Sequence, residues 1–161
     1  MGADRQRTYL ADEAATLAFG ATVAASLLRL PHRDLLILLQ GDLGAGKTTF
    51  GRGLLRELGH KGPVPSPTYT LLEPYHFDEI DVCHLDLYRL ADAAELEYIG
   101  WRDLATTTRL VEWPERCPGL TDEADLRILL TLAGEGRQAE WQVLSEKGAA
   151  LDAVLQDFAA A

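Results

Sequence analysis

The sequence predicts an α/β fold of three layers, α/β/α, around a mixed central sheet, and three observations carry that expectation. Leu35 to Leu39 is an uninterrupted apolar run, the pattern of a strand covered on both faces, and Arg109 to Trp113 reads as another buried strand around Leu110 and Val111. Stretches of helical spacing alternate with such strands along the chain. Late strand-like segments flank Gly134-Glu135-Gly136, which reads as the turn of a hairpin.

Each element has its own local reason. Asp12 is a suitable N-cap for a helix running to about Arg29, with Leu17, Val23, Ala24, Leu27 and Leu28 at roughly helical spacing and Pro31 ending it. The strand Leu35 to Leu39 leads through a glycine-rich loop into a helix from Lys47 to Leu58, stopped by Gly59. Pro63 to Thr68 must be extended, since proline fixes its own backbone and restricts the residue before it. Tyr69 to Tyr75 and Val82 to Tyr88 read as strands, and Ala93 to Ile99 as a short helix closed by Gly100. Arg109 to Trp113 follows as a strand halted at Pro114, then Leu126 to Gly134 and Ala139 to Ser145 as the hairpin strands, and Ala149 to Phe158 as a last helix.

Composition bounds the function classes. With 161 residues, 47% of them hydrophobic, and no repeat or low-complexity linker, one domain over residues 1–161 is expected, with a core that needs no staples. No apolar run is long enough to span a bilayer, and "MGADRQRTYLADEAA" lacks the apolar segment of a signal peptide, so no membrane and a cytoplasmic location are expected. Met1-Gly2 does not open a myristoylation signal, because Gln6 stands where Ser or Thr is wanted. Cys83 and Cys117 are isolated, which disfavours a zinc site or redox pair. The net charge of -10, from 25 acidic against 15 basic residues spread along the chain, opposes a phosphate-tracking field; nucleic acid would be met locally or through a partner.

The chemistry concentrates in "GDLGAGKTT". Gly41-x-x-x-x-Gly46-Lys47-Thr48 matches a P-loop, with a buried strand before it and a helix starting within it, and makes the expected fold P-loop NTPase-like. Its glycines let successive backbone N–H groups converge on phosphate oxygens at a helix N-terminus that carries about half a positive charge. Lys47 would reach the β and γ phosphates, and the Thr48 hydroxyl would ligate Mg²⁺; an ordinary glycine-rich turn would instead leave Lys47 solvated. Magnesium also needs a carboxylate, usually from another strand end, and Asp86 and Glu112 each close an apolar strand. Lys47, Asp86 and Glu112 are therefore the candidate catalytic residues. No Asn-Lys-x-Asp motif reads a guanine base, which excludes a GTPase. A small-molecule kinase, with Arg89, Arg102 and Arg109 as lid candidates, stays open beside a Mg-dependent nucleotidase.

Four strings in order, "GDLGAGKTT", "VPSPTYTLLEPY", "HLDLYRLADAAELEYIGWRD" and "LVEWPER", resemble the bacterial TsaE (YjeE) family over about residues 10–145. The resemblance implies a small Mg²⁺-dependent ATPase required, with TsaB and TsaD, for N6-threonylcarbamoyladenosine at position 37 of tRNAs reading ANN codons. tRNA would then be met indirectly, through the TsaB–TsaD complex. It further implies that Leu43, Gly44, Ala45, Gly46, Lys47 and Thr48, with Thr49 beside them, hold ATP, and that Thr48 and Glu112 hold magnesium. Glu13 and Arg137 fall where the family contacts the nucleotide, and Thr68, in Ser66-Pro67-Thr68, in a segment that senses the γ-phosphate. Asp86 is read as orienting water; His84 and Tyr88 as packing; Trp113 as cleft wall or core.

Overall fold

In the computed structural model, which describes residues 5–160, β2 (Leu36–Gln40) occupies the centre of a seven-stranded sheet because it is apolar on both faces. Leu36 and Leu38 enter one buried cluster, while Ile37 and Leu39 enter the other, on the opposite side of the sheet. The order is β1-β7-β6-β2-β5-β4-β3, where β1 is Arg5–Leu10, β3 Leu72–His76, β4 Asp81–Asp86, β5 Thr108–Glu112, β6 Leu126–Ala133 and β7 Gly136–Val143. β2, β4, β5 and β6 run parallel; β1, β3 and β7 pair antiparallel, so the sheet is mixed as expected. The Met1-Gly2 motif lies outside the described residues.

Helices α1 (Glu13–Leu27), α2 (Lys47–Glu57) and α5 (Glu146–Ala160) contribute Phe19, Val23, Leu27, Phe50, Leu54 and Leu151 to the larger cluster. The other face carries only short pieces, α3 (Glu95–Tyr98), α4 (Leu120–Glu123) and single turns at Trp101–Leu104 and Pro114–Arg116. Asp12 caps α1 as expected, accepting from the Ala15 N–H at 2.9 Å. α1 and α2 meet backbone to backbone. A Cβ at Gly20 would lie 2.2 Å from the Phe50 carbonyl oxygen, and one at Gly53 2.1 Å from that of Leu17. That contact seats the start of α2 beside the start of α1.

Five expectations need correction, the first being the late hairpin, where β7 begins at Gly136 and not at Ala139, leaving Gly134-Glu135 as the turn. β1 is not expected from the sequence: in "RQRTYL" Leu10 is the one inward residue that enters the core, and the strand forms by antiparallel pairing along β7. Pro67 to Thr70 is a turn, so neither the end of Pro63 to Thr68 is extended nor Tyr69 to Leu71 strand; the Leu71 N–H donates to the Pro67 carbonyl at 2.8 Å, with Leu71 at φ 70°. β4 ends at Asp86 and not at Tyr88, because the Asp86 carboxylate takes the Tyr88 N–H at 2.9 Å and turns the chain. α5 begins at Glu146, three residues early, because the Ser145 hydroxyl accepts from the Gly148 N–H at 3.0 Å and acts as its cap. Cys83 and Cys117 are free and buried, and among the described residues no three His, Cys, Asp or Glu side chains converge as a metal cage. Among them, too, no helix is long and apolar enough to cross a membrane.

Candidate functional site

The carboxyl ends of β2, β4 and β5 open into a cleft of about 500 Å³, the position where open α/β sheets bind ligands. The loop after β2 takes the conformations its glycines permit: φ is 157° at Gly41, 82° at Gly44 and 106° at Gly46. Gly46 is also the N-cap of α2 and has no side chain to satisfy the first helical N–H groups, which leaves them for an anion. Gly44, Gly46, Lys47, Thr48, Thr49 and Leu43 line the cleft. Ala45 does not; its methyl is buried in the core, and it contributes backbone only.

Lys47 is not solvated. It is 6% exposed, and its Nζ, without a hydrogen-bond acceptor, lies 3.7 Å from the centre of the Trp113 ring. Burial pushes the ammonium below lysine's ordinary range, opposed by the charges of Glu112 and Asp86. An unpartnered buried ammonium at an uncapped helix start is a site waiting for negative charge. Trp113 resolves its two readings into both: its ring walls the cleft and leans on the second core cluster, held 5.0 Å from Tyr88. Its backbone sits at φ 56°, a conformation that costs a non-glycine residue about 1–3 kcal/mol and is concentrated at functional sites.

Asp86 and Glu112 are register partners at the ends of adjacent parallel strands, each 2% exposed and each lining the cleft. Thr68 donates its hydroxyl to Asp86 Oδ2 at 2.9 Å, and Ser66 Oγ lies 2.8 Å from Thr68 Oγ1. The proline-stiffened segment is thus tied to the acid by a chain of hydroxyls. His84 Nε2 lies 2.6 Å from Glu112 Oε2, at hydrogen-bonding distance. Glu112 and Thr48 offer hard oxygens in one cleft, a donor set that suits a divalent cation shared with a phosphate better than a protein cage.

Arg137, on β7, reaches across to the loop: Nη2 donates to the Gly44 carbonyl at 3.0 Å and Nε to the Ala45 carbonyl at 3.1 Å. Glu13, at the start of α1, lines the mouth and pairs with Arg52 at 3.5 Å. Sequence reasoning passed over Arg52, which lines the cleft from one turn into α2, and gave His84 no partner. The three lid candidates do not face the cleft. Arg89 lies over Tyr69, Arg102 pairs with Glu97, and Arg109 is buried over Trp101.

A mixed sheet flanked by helices, with this loop between β2 and α2, defines a P-loop NTPase-like protein. A crystal structure of YdiB from Bacillus subtilis shares the fold, with a TM-score of 0.76 over 99% of both chains at 23% identity. The model of one family, described as "Threonylcarbamoyl adenosine biosynthesis protein TsaE", matches residues 10–139, and this chain belongs to the TsaE family. The Haemophilus influenzae tRNA threonylcarbamoyladenosine biosynthesis protein TsaE is 44% identical over 135 residues, covering 82% of this chain and 85% of its own. The Nostoc protein of the same name is 39% identical over 140 residues and 83% of each chain.

Proposed function

We propose that this cleft binds Mg²⁺–ATP and hydrolyses it, and that hydrolysis drives or resets the TsaB–TsaD complex that makes N6-threonylcarbamoyladenosine in tRNA. The observation that carries the reading is the buried, unpartnered Lys47 ammonium at the uncapped start of α2, facing two buried strand-end carboxylates. Membership of the TsaE family supports the pathway. Lys47 and the α2 amides would hold the phosphates, and Arg137 would keep the loop carbonyls turned away from them. Asp86 would orient the attacking water, with Thr68 and Ser66 placed to register whether a γ-phosphate is present. Thr48 and Glu112 would hold magnesium, which when bound neutralises charge on the phosphates. A small-molecule kinase is disfavoured, since none of Arg89, Arg102 and Arg109 lines the cleft.

The metal and loop roles separate experimentally. Glu112→Ala is expected to weaken nucleotide binding only when magnesium is present, and Arg137→Ala to weaken it even with chelator, because the guanidinium braces the loop itself. Titration of a fluorescent ATP analogue with and without chelator checks this, and identical profiles would overturn the two assignments. The pathway reading is tested by multiple-turnover modification of an ANN-reading tRNA by TsaB, TsaD and threonylcarbamoyl-adenylate. Wild-type chain is expected to sustain repeated cycles and to hydrolyse ATP faster beside TsaB–TsaD than alone. If the Lys47→Ala variant sustains as many turnovers, the role is structural and not energy-coupled.

A further inference from the structure

We infer that His84 is a positioning residue: by donating Nε2–H to Glu112 it fixes which carboxylate oxygen Glu112 turns into the cleft. The inference rests on the reading of Glu112 as the metal-binding carboxylate. His84 and Asp86 lie two residues apart on β4, hence on the same face of the strand, and the imidazole is fully buried. It sits under α2 at Gly51, where a Cβ would be 3.4 Å from His84 Cε1, so the glycine leaves room for the ring. The 2.6 Å contact joins two side chains that are 0% and 3% exposed, which shuts out the water that would otherwise compete for the carboxylate.

The tautomer follows from counting partners. An ionised Glu112 can only accept, so the shared hydrogen is on Nε2. Nδ1 has no partner, and a bare buried lone pair there is less costly than a buried N–H with nothing to receive it. The ring is therefore a fixed single donor to Glu112 Oε2, leaving Oε1 for the cleft. A ligating carboxylate held in this way needs no reorientation when a cation arrives, and loss of such an outer partner typically lowers metal affinity about 10- to 100-fold.

Two measurements test the inference. In the metal-free protein, long-range ¹⁵N-edited NMR of the histidine rings reads which nitrogen of His84 carries hydrogen; Nε2–H is expected, and Nδ1–H overturns the assignment. Magnesium is then titrated into the protein with a fluorescent ATP analogue, for wild type, His84→Leu, His84→Gln and Glu112→Gln. Circular dichroism and thermal melts select variants that are folded. His84→Leu is expected to require about 10- to 100-fold more magnesium, with binding in chelator unchanged, and His84→Gln, which keeps a donor near Nε2, to recover most of the loss. Magnesium dependence unchanged in His84→Leu while Glu112→Gln shifts it overturns the positioning role alone, as does equal loss in the leucine and glutamine variants. No shift in Glu112→Gln overturns instead the metal reading on which it rests. Should His84→Leu fail to fold, His84→Met, which keeps bulk but has no donor, takes its place: Nε2–H together with a magnesium requirement well above that of His84→Gln sustains the inference, and Nδ1–H or equal requirements in the two variants overturn it.

Discussion

Replacing Lys47 with methionine is expected to cut ATP hydrolysis by at least about a hundredfold while raising the melting temperature of the nucleotide-free protein. The first effect follows because phosphoryl transfer is catalysed mainly by positioning and charge, and Lys47 supplies the positive charge deepest in the cleft. The second follows because its ammonium is buried without an acceptor, a deficit of about 1–3 kcal/mol that methionine, of similar length, does not incur. The Trp113 ring and the charges of Glu112 and Asp86 offset part of that deficit, but burial is the larger influence on the ammonium. A net gain of about 1 kcal/mol would raise the melting temperature by about 2–4 °C for a domain of this size. The sign with pH is fixed by the same burial. The unfolded chain keeps the Lys47 proton to higher pH than the fold does, so wild-type stability gains from Lys47 as pH rises toward lysine's ordinary 10.5, and the variant lacks that gain. Phosphate release and thermal melts of both proteins check the pair of effects. A folded variant with near-normal turnover would show that this cleft is not where ATP is cleaved; a lower melting temperature would show that the ammonium has a partner.

The second large effect is expected at Asp86. Asp86→Asn should lower kcat by about 10²- to 10³-fold with nucleotide affinity nearly unchanged, since a carboxylate that orients or deprotonates water acts on the chemical step. The amide preserves the surroundings: its oxygen can take the Tyr88 N–H, and its nitrogen can face the Thr68 hydroxyl that now donates to Oδ2. Binding and single-turnover hydrolysis measured separately distinguish the cases. Equal losses in both would make Asp86 a structural anchor of the Ser66 to Thr68 segment, and no loss in either would place the water elsewhere.

The loop, its helix and the two strand-end acids were legible because each is a local pattern: an apolar run followed by an acid or by spaced glycines is visible within ten residues. The His84–Glu112 pair was not, since its members are 28 residues apart and meet only through the register of β4 with β5. Arg137 is a nucleotide contact by resemblance alone; its grip on the Gly44 and Ala45 carbonyls has no local sequence signal, because it depends on β7 lying at the far side of β6. β1 is weakly legible because Leu10 is the only apolar residue on its inward face, beside Gln6 and Thr8; pairing with β7 completes what so short a pattern leaves open. Tyr69 to Leu71 carries aromatic and branched residues that favour strand, yet the Pro67 carbonyl closes a turn there. In that case a local hydrogen bond overrode propensity, at the segment that touches Asp86.

A crystal structure of the chain with magnesium and a non-hydrolysable ATP analogue tests the central claim most directly. It should show β- and γ-phosphate oxygens against Lys47 Nζ and the first amides of α2, the metal between Thr48 and Glu112, and the ammonium withdrawn from the face of Trp113. A nucleotide bound outside the cleft, or phosphates beyond reach of a Lys47 still stacked on that indole, would contradict it.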